Sequence, residues 1–410
     1  MPTSTADAQS LRRVIMLGFL VEPEYFRQYS QGDPFPQVAA YKLEERYVEG
    51  LRRAGVTVDV IGSAGVSSFP KNRHWFLPFR NWSTPTDARW VLPTFNIPLL
   101  KMPMRAVLAA CALIARLKGR RRGTTICVYS AHSPWLVAAL IASRLFGVQF
   151  FVIIPDLPRY MRLEKKQNPL VRWARTLDAR LIDALVVRSS GVSVVTKNMV
   201  TDTPAWTHLR YFVIEGLSRP PVRSERPTAV RTRPYFMYAG LLSRSNGVLL
   251  LIEAFRSTQI DADLLLCGRG ELEELIASQA REDARIVYGG FLDQATLADL
   301  QSRALAQVLI RDPSDAYTRY SFPSKLIEYM AGGVPVLTTR LPGIPEEYFQ
   351  YLTAIDGPDP ASIVRALEAL LSQSQSELKE RAAAGRNFIL NRCDPDRAML
   401  SFLQFMESSG

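Results

Sequence analysis

Short apolar runs alternate with amphipathic stretches along almost the whole chain, and the alternation predicts strand, helix, strand in repeated order. "RRVIMLGFL" is apolar enough for a buried strand and is followed by a polar, proline-containing loop. In "PQVAAYKLEERYVEGLRRAG", Ala39, Leu43, Tyr47 and Leu51 recur at i+4 on one helix face, and Gly55 ends that helix. "VTVDVIG", "TTICVYS", "VQFFVIIPD" and "GVSVVT" continue as strands. The run "RPPVRSERPTAVRTRP" has prolines and arginines and no apolar period, so it reads as a linker. Beyond it the alternation restarts with "YFMYAG", "ADLLLCG", "ARIVYGG", "LAQVLIR" and "VPVLTT" as strands. The expected organisation is an α/β N-terminal domain over 1–218, a linker over 219–234, a second α/β domain over 235–385, and a C-terminal helical segment over 386–410 that packs back on the first. Both halves are expected to be doubly wound parallel sheets facing a central cleft, with ligands at the carboxyl ends of their strands.

Those strand ends carry the candidate chemistry. "SFPSKLIEYMAGG" predicts a helix starting near Pro323, with Ser321 and Ser324 as caps and Gly332 as terminator. Unpaired N–H groups and the positive dipole end there suit a phosphate, and Lys325 adds a full charge. Glu328 lies one turn in, on the face opposite Leu326, Ile327 and Met330, where a carboxylate accepts from vicinal hydroxyls as on ribose. A solvated glutamate with a lysine neighbour explains the same residues. In "CVYSAHSPWLVAALIA", His132 stands at a strand end before a Ser-Pro helix start, where a lone histidine is either structural or part of a site at the crevice edge. Gly32, in "YSQGDPFPQ", either brings backbone close to a ligand or serves a plain turn. Asp156 ends another strand and either faces the cleft or caps; Glu215 and Gly216 end the last strand before the linker, and Gly268 and Gly270 in "CGRGE" make a tight strand-to-helix turn.

Composition narrows the class. With 47% hydrophobic and 22% charged residues in 410, the chain is long and apolar enough for two cores. The four cysteines lack close spacing with each other or with histidine, so neither a disulfide framework nor a zinc site is expected. No cofactor is expected, and no metal. Asp261 and Asp263 resemble a metal-binding pair but fall at a strand's start, away from the ligand-binding edge. The apolar N-terminal run reads as a strand rather than a signal peptide, and prolines and basic residues interrupt every stretch that could span a bilayer. The formal charge of +11 suits an anionic surface or substrate. Val107, Leu108, Cys111, Ile114 and Ala115 form an apolar helix face ahead of "LKGRRRG". That is either a membrane-surface helix or a core helix with a solvated basic end. Nucleic acid is not an expected partner, because no aromatics interleave with the basic run.

"SFPSKLIEYMAGGVPVLTT" with "LPGIPEEY", "IPDLPRYM" and "VVTKNM" resembles the GT4-like retaining glycosyltransferases of bacterial capsule and exopolysaccharide assembly. The resemblance implies a GT-B architecture of two Rossmann-like domains and a nucleotide-sugar donor held mainly by the C-terminal one. It further implies a metal-independent transfer of hexosyl type to a lipid-linked saccharide, by a cytoplasmic protein peripheral at the inner face of the cell membrane. The family's Glu-x7-Glu element places its second glutamate at Glu328, while Tyr320 occupies the position of the first. Of the family's arginine and lysine after the first strand of the C-terminal domain, Arg244 matches one and Asn246 replaces the other. The roles that follow are Arg244 and Lys325 on the leaving diphosphate and Glu328 on the ribose. His132 and Asp156 fall on the acceptor side, with Gly32, Gly268, Tyr320, Ser321 and Ser324 around the donor. Loss of the first glutamate and of the loop lysine motivates a second reading, a non-catalytic membrane-surface scaffold of a polysaccharide assembly complex.

Overall fold

The computed structural model describes residues 11–157, 169–219 and 233–408. The chain divides into two compact units: residues 1–217 with 395–410, and residues 218–394. Most of the predicted linker, and Pro158 to Met161 of "IPDLPRYM", lie outside the described residues.

The first unit contains, in chain order, β1 (Arg13–Gly18), α1 (Pro23–Ser30), α2 (Val38–Arg53), β2 (Thr57–Gly62), β3 (Phe76–Leu77), β4 (Arg80–Asn81), β5 (Arg89–Val91) and β6 (Thr94–Phe95). There follow α3 (Lys101–Leu117), β7 (Thr124–Tyr129), α4 (Ser133–Phe146), β8 (Phe150–Ile154), α5 (Pro169–Val186), β9 (Gly191–Val194), α6 (Asn198–Thr201) and β10 (Tyr211–Val213). Its sheet runs β10-β9-β8-β7-β1-β2-β5-β4, parallel throughout except for β4 against β5. β7 and β8 are buried on both faces, which explains their continuous apolar runs. The stretch read as a polar loop after β1 contains α1, whose Tyr25 and Tyr29 bury themselves in the core.

The second unit contains β11 (Tyr235–Leu241), α7 (Val248–Arg256), β12 (Asp263–Arg269), α8 (Glu273–Glu282), β13 (Ile286–Gly290), α9 (Gln294–Arg303), β14 (Ala306–Leu309) and α10 (Ser324–Gly332). β15 (Val336–Thr339), β16 (Thr353–Ile355), α11 (Pro360–Ser372) and α12 (Gln375–Arg392) complete it. The six parallel strands order β13-β12-β11-β14-β15-β16, the arrangement of dinucleotide-binding sheets. α13 (Pro395–Glu407) belongs to the first unit, where Phe402 stacks beside Phe212 and meets Tyr47 edge-on.

Each sheet therefore has one point where strand order reverses, between β1 and β7 in the first unit and between β11 and β14 in the second. Loops leaving the carboxyl ends of two such strands diverge and leave a crevice, so these two points are where ligands are to be sought.

Candidate functional site

In the second unit α10 starts beside the reversal point and is tied to the end of β11. The Tyr329 hydroxyl donates to the Ala239 carbonyl at 2.9 Å and accepts from the Ala239 N–H at 3.0 Å. Lys325 Nζ donates to the same carbonyl at 2.5 Å. Its stem crosses Gly240, where an added Cβ would sit 2.4 Å from Lys325 Cε. A Cβ on Gly268 would in turn sit 1.8 Å from the Gly240 carbonyl oxygen, so two glycines on neighbouring strands make room for one lysine. Burial holds the Lys325 ammonium below the usual lysine range; Glu328 opposes that shift and Arg311 adds to it. Arg311 lies two residues after the end of β14, with its N–H on Thr339 Oγ1 at 3.2 Å and its guanidinium 5.9 Å from the Tyr317 ring. Its Nε is buried and has no hydrogen-bond partner among the described residues.

The start of α10 corrects one expectation. Pro323 is the N-cap, in extended backbone, and no side chain caps the helix. Ser321 falls outside the helix and Ser324 is its exposed first residue, so neither hydroxyl reaches the first-turn N–H groups. Those donors are left for an anion. The helix ends at Gly332, and Gly333 with φ 74° is the residue that stops it. Glu328 is exposed on the same face as Lys325. Tyr320 is half-buried after a short turn, and the Ser321 carbonyl lies over Gly343. Arg244 is exposed in the turn after β11, with its N–H on Glu271 Oε1 at 2.9 Å. The structure thus gathers Gly268, Lys325 and Glu328 with Arg311, and sets Arg244 at the rim.

In the first unit the end of β1 is held by Glu44, fully buried on α2. Its Oε2 accepts from Phe19 N–H at 2.8 Å, and the Leu20 N–H is a second donor to the carboxylate. Desolvation outweighs both bonds and pushes this carboxyl up to about 8, so it is neutral near pH 7. His132 follows β7 as the N-cap of α4, after Ser130 at φ 69°, a strained value for a residue with a Cβ. Arg105 reaches it from α3, with Nη1 on His132 Nε2 at 3.0 Å and Nη2 on Ser63 Oγ at 3.1 Å. A guanidinium only donates, so Nε2 accepts and the proton of the neutral ring sits on Nδ1. Burial first, then Arg105 and Lys101, hold His132 well below the usual range and keep it neutral.

Arg105 is 4% exposed and burial brings it down to about 10. Lys101, one turn earlier, donates to the Val66 carbonyl at 2.7 Å, and burial with Arg105 pushes it down to about 7 against the pull of Asp33. Asp156 is exposed after β8; surrounding protein raises its carboxyl to about 6, and it makes no hydrogen bond to His132. Gly32 is exposed between α1 and α2 with φ 75°, and a Cβ there would meet nothing within 4 Å. Its positive φ accounts for a glycine in this turn, and among the described residues no protein group packs against it.

Three cations and one acid escaped the sequence reading: Arg311, Arg105, Lys101 and Glu44. A signal existed for two of them. Lys101 and Arg105 are in phase, at i+4, with the buried Ala109 and Leu113 of α3, so charge stands in a core register. Asp261 and Asp263 pair with Arg233 at the start of β12. The α3 face of Val107, Cys111 and Ala115 is exposed, with Leu108 and Ile114 half-buried. Among the described residues no helix is long and apolar enough to cross a membrane.

Residues 233–373 match the family model described as "Glycosyl transferases group 1". Among solved structures the chain is similar to sucrose-phosphate synthase from Thermosynechococcus elongatus, with TM-score 0.63 and 16% identity over 97% of this chain and 99% of that one. It is similar to the lipopolysaccharide outer core galactosyltransferase WaaB, with TM-score 0.63 and 13% identity over 97% and 99%. The Anabaena protein Alr3699/HepE, solved in complex with UDP, gives TM-score 0.61 and 14% identity over 97% and 100%. No curated protein matches the sequence. The chain has a GT-B fold, and the glycosyl transferases group 1 match falls within its second unit.

Proposed function

We propose that the chain is a glycosyltransferase that moves a hexose from a nucleotide-diphosphate sugar to a lipid-linked saccharide with retention at the anomeric carbon, as a capsule or exopolysaccharide enzyme. The observation that carries this reading is the uncapped start of α10 at the β11/β14 reversal, flanked by Lys325 and Arg311, inside the family-matched segment. Neighbours of the same fold, solved with UDP and with UDP and glucose, support the donor class. The first-turn N–H groups, Lys325 and Arg311 meet the charge that grows on the departing diphosphate, with Arg244 at the rim. Glu328 accepts two ribose hydroxyls. Tyr320 stands where the missing first glutamate would, so sugar-side contacts differ from the family pattern. No metal or cofactor enters this scheme. In the first unit His132 presents Nδ1–H as a donor to a hydroxyl; its Nε2 is taken by Arg105, so it orients rather than removes a proton.

Calorimetry against UDP-, GDP- and TDP-sugars tests the reading. One donor should bind, and Glu328→Ala should raise its KM by about 10- to 100-fold, or about 1.4 to 2.7 kcal/mol. Binding by none would leave the scaffold reading in place.

The partner surface is proposed to be an anionic membrane at the cytoplasmic face. The exposed stripe Trp173, Leu177 and Leu181 on α5 recurs at i+4, α4 adds exposed Ile141 and Leu145, and α3 adds Val107. Arg172 and Arg175 are exposed on α5, and Arg120, Arg121 and Arg122 are exposed just after α3. Trp173→Glu with Leu177→Glu should abolish co-sedimentation with anionic liposomes, and equal pelleting on neutral ones would remove the electrostatic part.

A further inference from the structure

Two buried basic side chains in the first unit, Arg105 and Lys101, have no direct ion-pair partner among the described residues. Arg105 offers five N–H groups and spends one on His132 Nε2 and one on Ser63 Oγ. Its Nε is buried without a partner, and no carboxylate pairs with it or with Lys101 among the described residues. The acids nearby are committed elsewhere. Asp33 receives the Phe35 N–H, the Ser67 N–H and hydroxyl, and the Asn72 amide. Asp178 receives the Ser133 hydroxyl at 2.5 Å.

Placement makes the imbalance larger. The Arg105 guanidinium carbon lies 5.3 Å from the Trp135 ring and 5.5 Å from that of Phe19, and the group bonds His132. His132 and Trp135 are the N-cap and first-turn residues of α4, a helix of 14 residues. A positive group therefore sits at the positive end of a helix dipole, the reverse of the favourable arrangement. A guanidinium needed only to hold His132 and Ser63 would be replaced at lower desolvation cost by a neutral amide. What reconciles two buried cations with a helix N-terminus is an oxyanion among them, and the site stands at the β1/β7 reversal, where such a sheet binds ligands.

We propose that Arg105, Lys101 and the first turn of α4 form a subsite for an oxyanion, a phosphoryl or carboxylate group carried by the acceptor. The anion site rests on the first unit alone; its assignment to the acceptor rests on the glycosyltransferase reading above. The two aromatic rings fix the guanidinium plane, which suits bidentate recognition of either group. His132 Nδ1–H then serves a hydroxyl beside that charge. An arriving anion also favours the charged form of Lys101, which faces Arg105, neutral His132 and Asp33, so binding takes up a proton above pH 7.

The test is calorimetry on the full chain carrying Lys325→Gln, which removes a cation from the second unit's own anion site. Inorganic phosphate, glucose 1-phosphate, glucuronate and neutral glucose are titrated, with UDP titrated separately into the unsubstituted chain. Phosphate or glucuronate should bind, glucose should not, and Arg105→Gln or Lys101→Gln should weaken the bound anion at least tenfold. UDP affinity should be unchanged by either. A preference for glucose 1-phosphate over glucuronate identifies a phosphoryl acceptor, and the reverse a uronic one. Anion affinity that is absent, or unaltered in both variants, overturns the subsite. A tenfold loss of UDP affinity in Arg105→Gln overturns the acceptor assignment, because the group would then serve the donor. Phosphate binding without binding of UDP, GDP or TDP keeps the subsite and removes the glycosyltransferase reading instead. Should Arg105→Gln fail to fold, Arg105→Lys with Lys101→Gln supplies the same comparison.

Discussion

The two reversal points are built alike and charged differently. In each, a helix side chain clamps the end of the central strand: Glu44 of α2 on the Phe19 N–H, and Tyr329 with Lys325 of α10 on Ala239. In the second unit the clamp is itself a cation, half-buried and one turn from an exposed acid. In the first unit the clamp is a neutral acid, and the cations stand behind it on α3 at 4% and 8% exposure. A half-buried lysine on a flexible stem can leave a carbonyl for a phosphate when one arrives. A guanidinium held between two rings cannot move far, so its ligand must come to it.

The sharpest break in this comparison is Lys325→Gln. If the second unit meets leaving-group charge with a preplaced cation, kcat/KM should fall about 10²- to 10³-fold, or about 2.7 to 4 kcal/mol, the scale of losing one oxyanion donor in a dry site. Stability should hardly change, since Tyr329 keeps Ala239 in place. A variant with normal kcat and raised KM alone would make Lys325 a binding group with no part in the transition state.

Next in size is the neutrality of Glu44. Unfolded, this carboxyl titrates near 4.5; folded, it titrates near 8. Between those values the folded chain keeps a proton that the unfolded chain releases. Its contribution is whole below about pH 4.5 and drains as pH rises to about 8, at up to about 1.4 kcal/mol per pH unit. All six tryptophans lie in the first unit, so their fluorescence during urea unfolding reports that unit alone. The stability gap between Glu44→Gln and the natural chain should grow in favour of glutamine from pH 5 to pH 8. Parallel profiles would show that Glu44 is ionised in the folded chain.

How legible this was follows the same division. The start of α10 could be read as a helix N-terminus because a lysine and a glutamate on an otherwise apolar helix start stand out beside a proline. The central parallel strands β7, β8, β14 and β15 could be read because they are buried on both faces and so almost continuously apolar. Arg105 was passed over because α3 carries two apolar stripes. Val107, Cys111 and Ala115 lie on the exposed one, and the core-facing one is made mostly of alanines, too faint to show that two cations share it. Glu44 was invisible for a related reason: in "YKLEERY" it stands beside Glu45 and Arg46, and only the turn of the helix tells which charge is inside. The expected capping serines stand two residues before and one residue after the N-cap, Pro323, a shift that propensity does not resolve.

Arg244 marks the smallest expected effect and the limit of the comparison. It follows β11 as Arg311 follows β14, yet it is exposed in a turn held by its backbone bond to Glu271. Its charge acts through water and ions, where a single exposed cation contributes under about 1 kcal/mol and is screened within about 8 Å at physiological salt. Arg244→Ala should therefore reduce kcat/KM by less than about fivefold at low salt, and the deficit should vanish near 0.5 M salt, where the Debye length is only about 4 to 5 Å. Lys325→Gln should keep its deficit at the same salt, because a half-buried ammonium on a backbone carbonyl is shielded by protein rather than by ions. An Arg244→Ala variant as damaged as Lys325→Gln, and equally indifferent to salt, would mean that the turn closes over the donor. Burial in the free chain would then be the wrong guide to which cations matter.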